Sequence, residues 1–480
     1  MKRVLLFTIG LLSLTQVFSQ DNPYKFQINN LKDTVVYLAN YYGDKLYYAD
    51  TAYADANGKF SFKAIKEENQ GKYAVVIPGP KVFDIVIADN EKIEMVTDTA
   101  DLAGNMKVIV SQNNKIMYEY MNYLNARRED REKLIAQSEE NEGNETIIKA
   151  LQEEFSELNG SVIKYQTEVA DKNAPLFIAK EIRMSIDPLV PMELQSDQNQ
   201  AYYYFKDHYF DNIDLNDDRV VRTSIFHNKL DNYLNKTLIQ NPDTIIASMD
   251  KIIARLDRSS EVFKYIVHYT TYNFESSKIM GMDKGFVHMV DTYYKPDVAF
   301  WMDTDKLKSI QDKANEKRNT LLGVRAPEVI LMDTAGNWIS TYKDGKKKYT
   351  LLYFYDPDCG HCKKETPKLV DFYKNHTPND IAVFAISSNH DDKWKKFVAK
   401  NDMEFFNMSI PGRAYSDAEY ATNLITSGTT TYKSLKYHET FDVLSTPKVF
   451  LLDEDHKIIA KDIAVDQIEG FISRFEEMRK

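Results

Sequence analysis

Cys359 and Cys362 are the only cysteines in a chain of 480 residues. A structural framework scatters cysteines and pairs distant ones, and a tetrahedral zinc site needs two further ligands. A spacing of three instead places both thiols on one helical face, within reach of a short disulfide. If "YTLLYFY" (349–355) is a strand and a helix begins near Cys359, the first thiol meets the unpaired N–H groups and dipole of a helix N-terminus. Such a site lowers a thiol pKa below its free value of about 8.5, and the thiolate is the nucleophile. So small a loop would constrain the unfolded chain little, so the pair suits redox cycling better than cross-linking.

The elements that must position this pair are readable around it. From Leu321 to Lys480 strands and helices alternate, which predicts an α/β sheet with helices packed on it. "YTLLYFY" and "IAVFAIS" are continuous apolar runs, as in strands buried on both faces. "APEVILMDTAGNWIS" predicts two short strands around Ala335-Gly336-Asn337, and "TPKVFLLDEDHKIIAKD" two more around Asp453-Glu454-Asp455. "KKETPKLVDFYKNH", "DDKWKKFVAKN" and "QIEGFISRFEEMRK" read as helices.

Upstream, residues 20–112 predict a β-sandwich domain. "TVVYLANYY", "KFSFKAI", "KYAVVI", "VFDIVIAD", "KIEMVTD" and "MKVIVS" are strand-like, with turns at Asn57-Gly58, Pro78-Gly79-Pro80 and Gly104-Asn105. Residues 113–320 predict an all-α domain: Ile116, Tyr120, Tyr123, Leu124 and Arg127 recur at helical spacing. Pro175, Pro188, Pro191, Pro242 and Pro296 punctuate that region, and "SEENEGNE" (138–145) reads as an exposed turn. Tyr202, Tyr203 and Tyr204 would spread around a helix axis as core and boundary residues. His208, His227, His268 and His288 lack metal-ligand spacing. The expected class is therefore multidomain α+β, ending in an α/β domain at 321–480.

The segment 1–19 has Lys2 and Arg3, an apolar run from Val4 to Leu14, and small or polar residues near its end, the layout of a secretory signal peptide. That predicts an exported, soluble protein of the periplasm or cell envelope. No nucleic-acid partner is expected from a formal charge of −11.

The cysteine segment resembles the thioredoxin-fold thiol–disulfide oxidoreductases, of the exported kind associated with cytochrome maturation. Cys359-Gly360-His361-Cys362 fits the CxxC of that family, with the middle pair of protein disulfide isomerase. Pro367 matches the proline that kinks the active-site helix, and Thr446-Pro447 the cis-proline loop facing the cysteines. Glu365 matches an acid found three residues after the second cysteine in the exported subgroup. Tyr353 stands where cytoplasmic thioredoxins bury an acid, which leaves Glu365 as the candidate carboxylate. The upstream regions more weakly resemble domains that precede thioredoxin domains in exported Bacteroidetes proteins.

The resemblance implies that Cys359 attacks a client disulfide, Cys362 resolves the mixed disulfide and Glu365 helps deprotonate Cys362. Gly360, His361, Thr446 and Pro447 would contact the client, a thiol or disulfide protein, with a membrane electron-transfer partner possible. No cofactor and no metal are expected: CxxC is half a zinc set, and only dispersed histidines such as His376 and His390 remain. The exported subgroup favours reduction, whereas the Gly360-His361 pair favours oxidase or isomerase chemistry. A non-enzymatic envelope binding protein with a thioredoxin-fold platform is the alternative of another class. A peroxidase is disfavoured, because Asp356-Pro357-Asp358 lacks the threonine and proline pattern expected before a peroxidatic cysteine.

Overall fold

The computed structural model describes residues 22–79, 81–376 and 380–479, the side chain of His376 excepted. The expected export segment and Pro80 of the Pro78-Gly79-Pro80 turn lie outside the described residues. Two compact units form. One runs to Thr237 and takes in Ser260–Val262; the other holds Leu238–Ser259 and Phe263–Lys480. The helical region expected as one stretch, 113–320, is thus shared between them.

The strands of the first unit are β1 (Tyr24–Asn29), β2 (Thr34–Tyr42), β3 (Lys45–Ala54), β4 (Lys59–Phe62), β5 (Gly71–Ile77), β6 (Lys81–Ile87), β7 (Ile93–Asp98) and β8 (Lys107–Val110). They make two four-stranded sheets, ordered β4-β1-β7-β8 and β3-β2-β5-β6. Period-2 alternation turns Tyr24, Phe26 and Ile28 of β1 inward, and Val36, Leu38, Val75, Phe83 and Ile85 of the other sheet meet them in one core. Phe26 stacks on Phe60 at 5.3 Å and meets Phe83, from the facing sheet, at 6.2 Å. Each such side chain contributes roughly 1.5–3 kcal/mol on burial. The Asn57-Gly58 turn needs glycine: Gly58 has φ +73°, and a Cβ there would lie 2.0 Å from the Ile28 carbonyl oxygen.

The same unit carries α1 (Gln112–Glu140), α2 (Glu145–Lys172), α3 (Phe177–Met184), α4 (Gln198–His208) and α5 (Ser224–Asn232). Ser111 caps α1 and Asn144 caps α2, so the polar stretch 138–145 is where one helix gives way to the next. Asn114 of α1 seals the edge of β6: its Oδ1 accepts the Val86 N–H and its Nδ2 donates to the Val86 oxygen, both at 2.8 Å. Only Ile116, Met117 and Tyr118 among the apolar residues of α1 are buried, so its packing is confined to the N-terminal end. The three tyrosines of α4 do spread around its axis, with Tyr203 exposed and Tyr204 stacked on His208.

The second unit begins with α6 (Pro242–Ile253), most of α7 (Glu261–Ser276), α8 (Asp283–Tyr293) and α9 (Thr304–Arg318). There follow β9 (Ile330–Asp333), β10 (Trp338–Ser340), β11 (Tyr349–Tyr355), α10 (Gly360–His376), β12 (Ile381–Ser387), α11 (Asp392–Lys400) and β13 (Phe406–Ser409). Four short helices, α12 (Gly412–Ser416), α13 (Ala418–Thr426), α14 (Tyr432–Leu435) and α15 (Tyr437–Thr440), lead to β14 (Lys448–Leu452), β15 (Ile458–Lys461) and α16 (Ile468–Met478). The sheet order is β10-β9-β13-β12-β11-β14-β15. Every residue of β11 and β12 is buried, as their continuous apolar text predicts. Leu351, Tyr353 and Tyr355 pack one face with Leu369 of α10 and Ile468 of α16, while Leu352 and Phe354 pack the other with Tyr437 and Phe441. β13 carries no strand signature in its four residues; parallel pairing with β12 makes it one.

Candidate functional site

β11 is flanked by β12, parallel to it, and β14, antiparallel to it, so its C-terminal end opens where α10 begins. The turn between them is built by Asp356. Its Oδ1 accepts the Asp358 N–H at 2.7 Å, its Oδ2 accepts the Ser388 hydroxyl at 2.8 Å, and its carbonyl accepts the Cys359 N–H at 3.1 Å. Asp358 is exposed and pairs with Lys393 at 3.4 Å. The two acids before the first cysteine are therefore engaged in shaping the turn and in a surface pair.

Cys359 immediately precedes α10 and is half-buried; Cys362 is wholly buried one turn on, and both are free thiols. The Cys362 N–H, and less strongly the His361 N–H, stabilise the Cys359 thiolate and draw its pKa below the ordinary thiol value against partial burial. Burial pushes the Cys362 thiol up to about 11, against a weak contact at 3.5 Å from the Asp356 N–H. The two sulfurs differ in access and in acidity. The Cys359 thiol donates to the Thr446 carbonyl oxygen at 3.3 Å, and the Thr446–Pro447 bond is cis. Gly360 and His361 are exposed beside Cys359.

Glu365 lies on the same helix. Its Oε1 accepts from Lys368 at 2.6 Å, while its Oε2 is buried and finds no hydrogen-bond partner among the described residues. A buried carboxylate oxygen without a donor is costly, and its desolvation is a recurring feature of functional acids. Among the described residues no hydrogen bond joins Glu365 to Cys362. Pro367, inside α10, removes one helix donor a turn beyond the cysteine pair.

The residues that surround the buried thiol include two hydroxyls that the spacing of the cysteines does not announce. Tyr353 is fully buried, its hydroxyl 3.1 Å from Thr366 Oγ1, and its ring stacks on Tyr355 at 5.5 Å. Burial raises both tyrosine pKa values strongly, and the charge of Cys362 would raise them further. Tyr355 in turn accepts the Trp394 indole N–H at 3.0 Å. Their spacing of two along β11, which puts both on the face covered by α10, is the signal that could have found them.

Among the described residues no group of three or more His, Cys, Asp or Glu side chains is placed to hold a metal ion. His390 stacks on Tyr415, and the side chain of His376 lies outside the described residues.

A half-exposed, acid-shifted thiol backed by a buried one is equipped for disulfide exchange, and this domain is a thioredoxin-like thiol–disulfide oxidoreductase. Residues 322–461 match the AhpC/TSA family. Residues 25–117 and 136–318 match two domains of unknown function, DUF4369 and DUF5106. The chain is 26% identical over 163 residues to the thiol-disulfide oxidoreductase ResA of Bacillus cereus, covering 33% of this chain and 81% of that relative. It is 25% identical over 122 residues to a thioredoxin-like protein of Haemophilus influenzae, covering 23% of this chain and 72% of that relative. Among solved structures, it is similar to a domain of a possible thiol-disulfide isomerase from Cytophaga hutchinsonii, at 30% identity over 33% of this chain and 95% of that one, with a TM-score of 0.27. A thioredoxin-like protein from Bacteroides caccae matches at 17% identity over 60% of this chain and 98% of its own, with a TM-score of 0.43.

Proposed function

We propose that this protein reduces disulfides in exported client proteins, with Cys359 as the attacking thiolate and Cys362 as the resolving thiol. The observation that carries this reading is the asymmetry of the pair: Cys359 is reachable and its pKa is lowered, whereas Cys362 is buried and its thiol is held up at about 11. Cys359 thiolate attacks one sulfur of the client disulfide, forming a mixed disulfide and expelling the other client sulfur as a thiolate. Cys362, deprotonated, then attacks Cys359 Sγ, forming the Cys359–Cys362 disulfide and releasing the second client thiol. Two electrons pass from the protein dithiol to the client, and the two thiol protons end on the client sulfurs. A lower-potential dithiol donor, supplied by a membrane electron-transfer partner, restores the reduced pair.

Glu365 would receive the proton of Cys362 in the resolving step; its unpartnered Oε2 supports that role. Exposed Gly360 and His361 and the Thr446-Pro447 loop would line the approach of the client, with the Thr446 main chain pairing to an extended segment. Export to the periplasm or envelope rests on the expected signal at 1–19. Among the described residues no helix is long and apolar enough to cross a membrane.

Equilibration of the purified protein with glutathione buffers tests the direction. A reductase is expected to titrate toward the thioredoxin value of about −270 mV. A potential near that of the oxidant DsbA, about −120 mV, would reverse the direction. Clients are identified by disulfide trapping with Cys362→Ala, which stalls at the mixed disulfide.

A further inference from the structure

Asp356 and Ser388 stand at the ends of neighbouring strands, one residue beyond β11 and one beyond β12. The Ser388 N–H donates to the Tyr355 carbonyl at 2.9 Å, and its hydroxyl donates to Asp356 Oδ2 at 2.8 Å. Main chain and side chain of one serine thus grip two consecutive residues of the redox turn. Ser388 itself sits on a fixed base. Tyr437 of α15 donates to the Ser387 carbonyl at 3.3 Å, and Ser409 of β13 donates to the Asn389 carbonyl at 2.9 Å.

An aspartate that opens a turn is ordinarily explained by local bonds alone. The Asp358 N–H on Oδ1 and the Cys359 N–H on the carbonyl are of that kind. Two features go beyond it. The second carboxylate oxygen is held from a different strand, 32 residues along the chain. The Asp356 N–H, moreover, points at Cys362 Sγ across 3.5 Å. A thiol sulfur is a weak acceptor, and a charged one accepts more strongly, so this contact tightens as Cys362 loses its proton.

The two thiols draw on different donors. The main-chain N–H groups that favour a Cys359 thiolate are those of Cys362 and His361, both in α10 itself. Burial opposes a Cys362 thiolate, and the main-chain donor set against it is the Asp356 N–H. Displacing Asp356 weakens the resolving thiolate and leaves the attacking one its own amides. A side chain that fixes Asp356 therefore acts on one step of the exchange.

We propose that Ser388 is a positioning residue for the resolving step: its hydroxyl locks the Asp356 carboxylate and so keeps the Asp356 N–H on Cys362 Sγ as the thiolate forms. This rests on the disulfide-exchange reading of the Cys359–Cys362 pair and names what governs its second step.

The test follows the full-length dithiol protein as it reduces oxidised glutathione. Cys359 thiolate attacks one sulfur, forms the protein–glutathione disulfide and expels the first glutathione thiolate. Cys362 thiolate then attacks Cys359 Sγ, closes the protein disulfide and expels the second. Two electrons pass to oxidised glutathione, and the two cysteine protons end on the glutathione thiols. Acid quenching and mass measurement give the rate of each step. Ser388→Ala is expected to slow resolution about fivefold, the scale of one modest hydrogen bond, and to leave the attack rate as it is. The mixed disulfide should then accumulate. Ser388→Thr, which keeps the hydroxyl, should restore resolution. Asp356→Ala removes both side-chain bonds and should slow resolution at least as much; it carries the test if Ser388→Ala does not fold. Resolution at the wild-type rate in these alanine variants, equal slowing of both steps, or a Ser388→Thr protein as slow as Ser388→Ala overturns the positioning role. A wild-type protein that leaves oxidised glutathione intact overturns the exchange reading beneath it instead.

Discussion

The Cys359 thiol meets the main-chain oxygen of Thr446, 87 residues further along the chain, across 3.3 Å. That contact sets the loop before Pro447 against the reactive sulfur and leaves the side chain of Cys362 behind it, out of solvent. The attacking and resolving thiols are thus distinguished by position as well as by acidity.

The two thiols should titrate apart. Iodoacetamide alkylation of Cys359 in a Cys362→Ser protein is expected to show an inflection below that of an ordinary thiol. In Cys359→Ser, alkylation of Cys362 should be slow and rise only toward pH 11. The consequence for stability has a definite sign. A thiol pKa raised on folding contributes stability that is fully present below the ordinary thiol range, and that contribution is lost as pH rises toward about 11. Relative to wild type, Cys362→Ala should lose less stability over that window, by on the order of 2 kcal/mol. Parallel pH curves for the two proteins would contradict it.

Glu365→Gln should slow the resolving step about 10²-fold at neutral pH, because the glutamine cannot take a proton from Cys362. Formation of the mixed disulfide by Cys359 is the comparison, followed by quenched-flow trapping. Equal slowing of both steps would assign Glu365 to the structure of α10 instead. Lys368, which holds Oε1 at 2.6 Å, is a positioning residue whose loss should affect the same step less.

Lys461→Met should destabilise the second unit by about 3 kcal/mol, since it strands the carboxylate of Asp283 in a site where both side chains are mostly buried. The double variant with Asp283→Leu should recover most of that loss. A double-mutant cycle with no coupling would mean that water already solvates the pair.

Asn114→Leu should cost about 2–4 kcal/mol, because the Val86 N–H and carbonyl both lose their partner at a buried sheet edge. Hydrogen exchange at the Val86 amide is the direct readout and should accelerate. An unchanged exchange rate would show that another group covers the edge.

Local text carried much of this protein. "TVVYLANYY" is β2 over Thr34–Tyr42, and "YTLLYFY" is β11 over Tyr349–Tyr355, because hydrophobic pattern and β-branched or aromatic content act over a few neighbours. The short strand Phe406–Ser409 and the helices from Gly412 to Thr440 were not legible in the same way; they are too short for a period to establish itself. β3 escapes for another reason: its residues are exposed along most of its length, so no inward alternation marks it. Glu365 was legible as a candidate acid from its place after Cys362, yet the orphaned state of its Oε2 was not.

The local sequence set two thiols three residues apart just after a buried-strand pattern, so that a helix starting there brings them within one turn. Only the folded chain decided which sulfur is reachable, where the carboxylates of Asp356 and Asp358 are engaged, and that the Thr446 carbonyl faces Cys359. Those outcomes depend on desolvation and on contacts between distant segments, which no local pattern encodes. The division of the helices has the same origin: periodicity gives a helix an apolar face, but packing partners decide which unit that face joins.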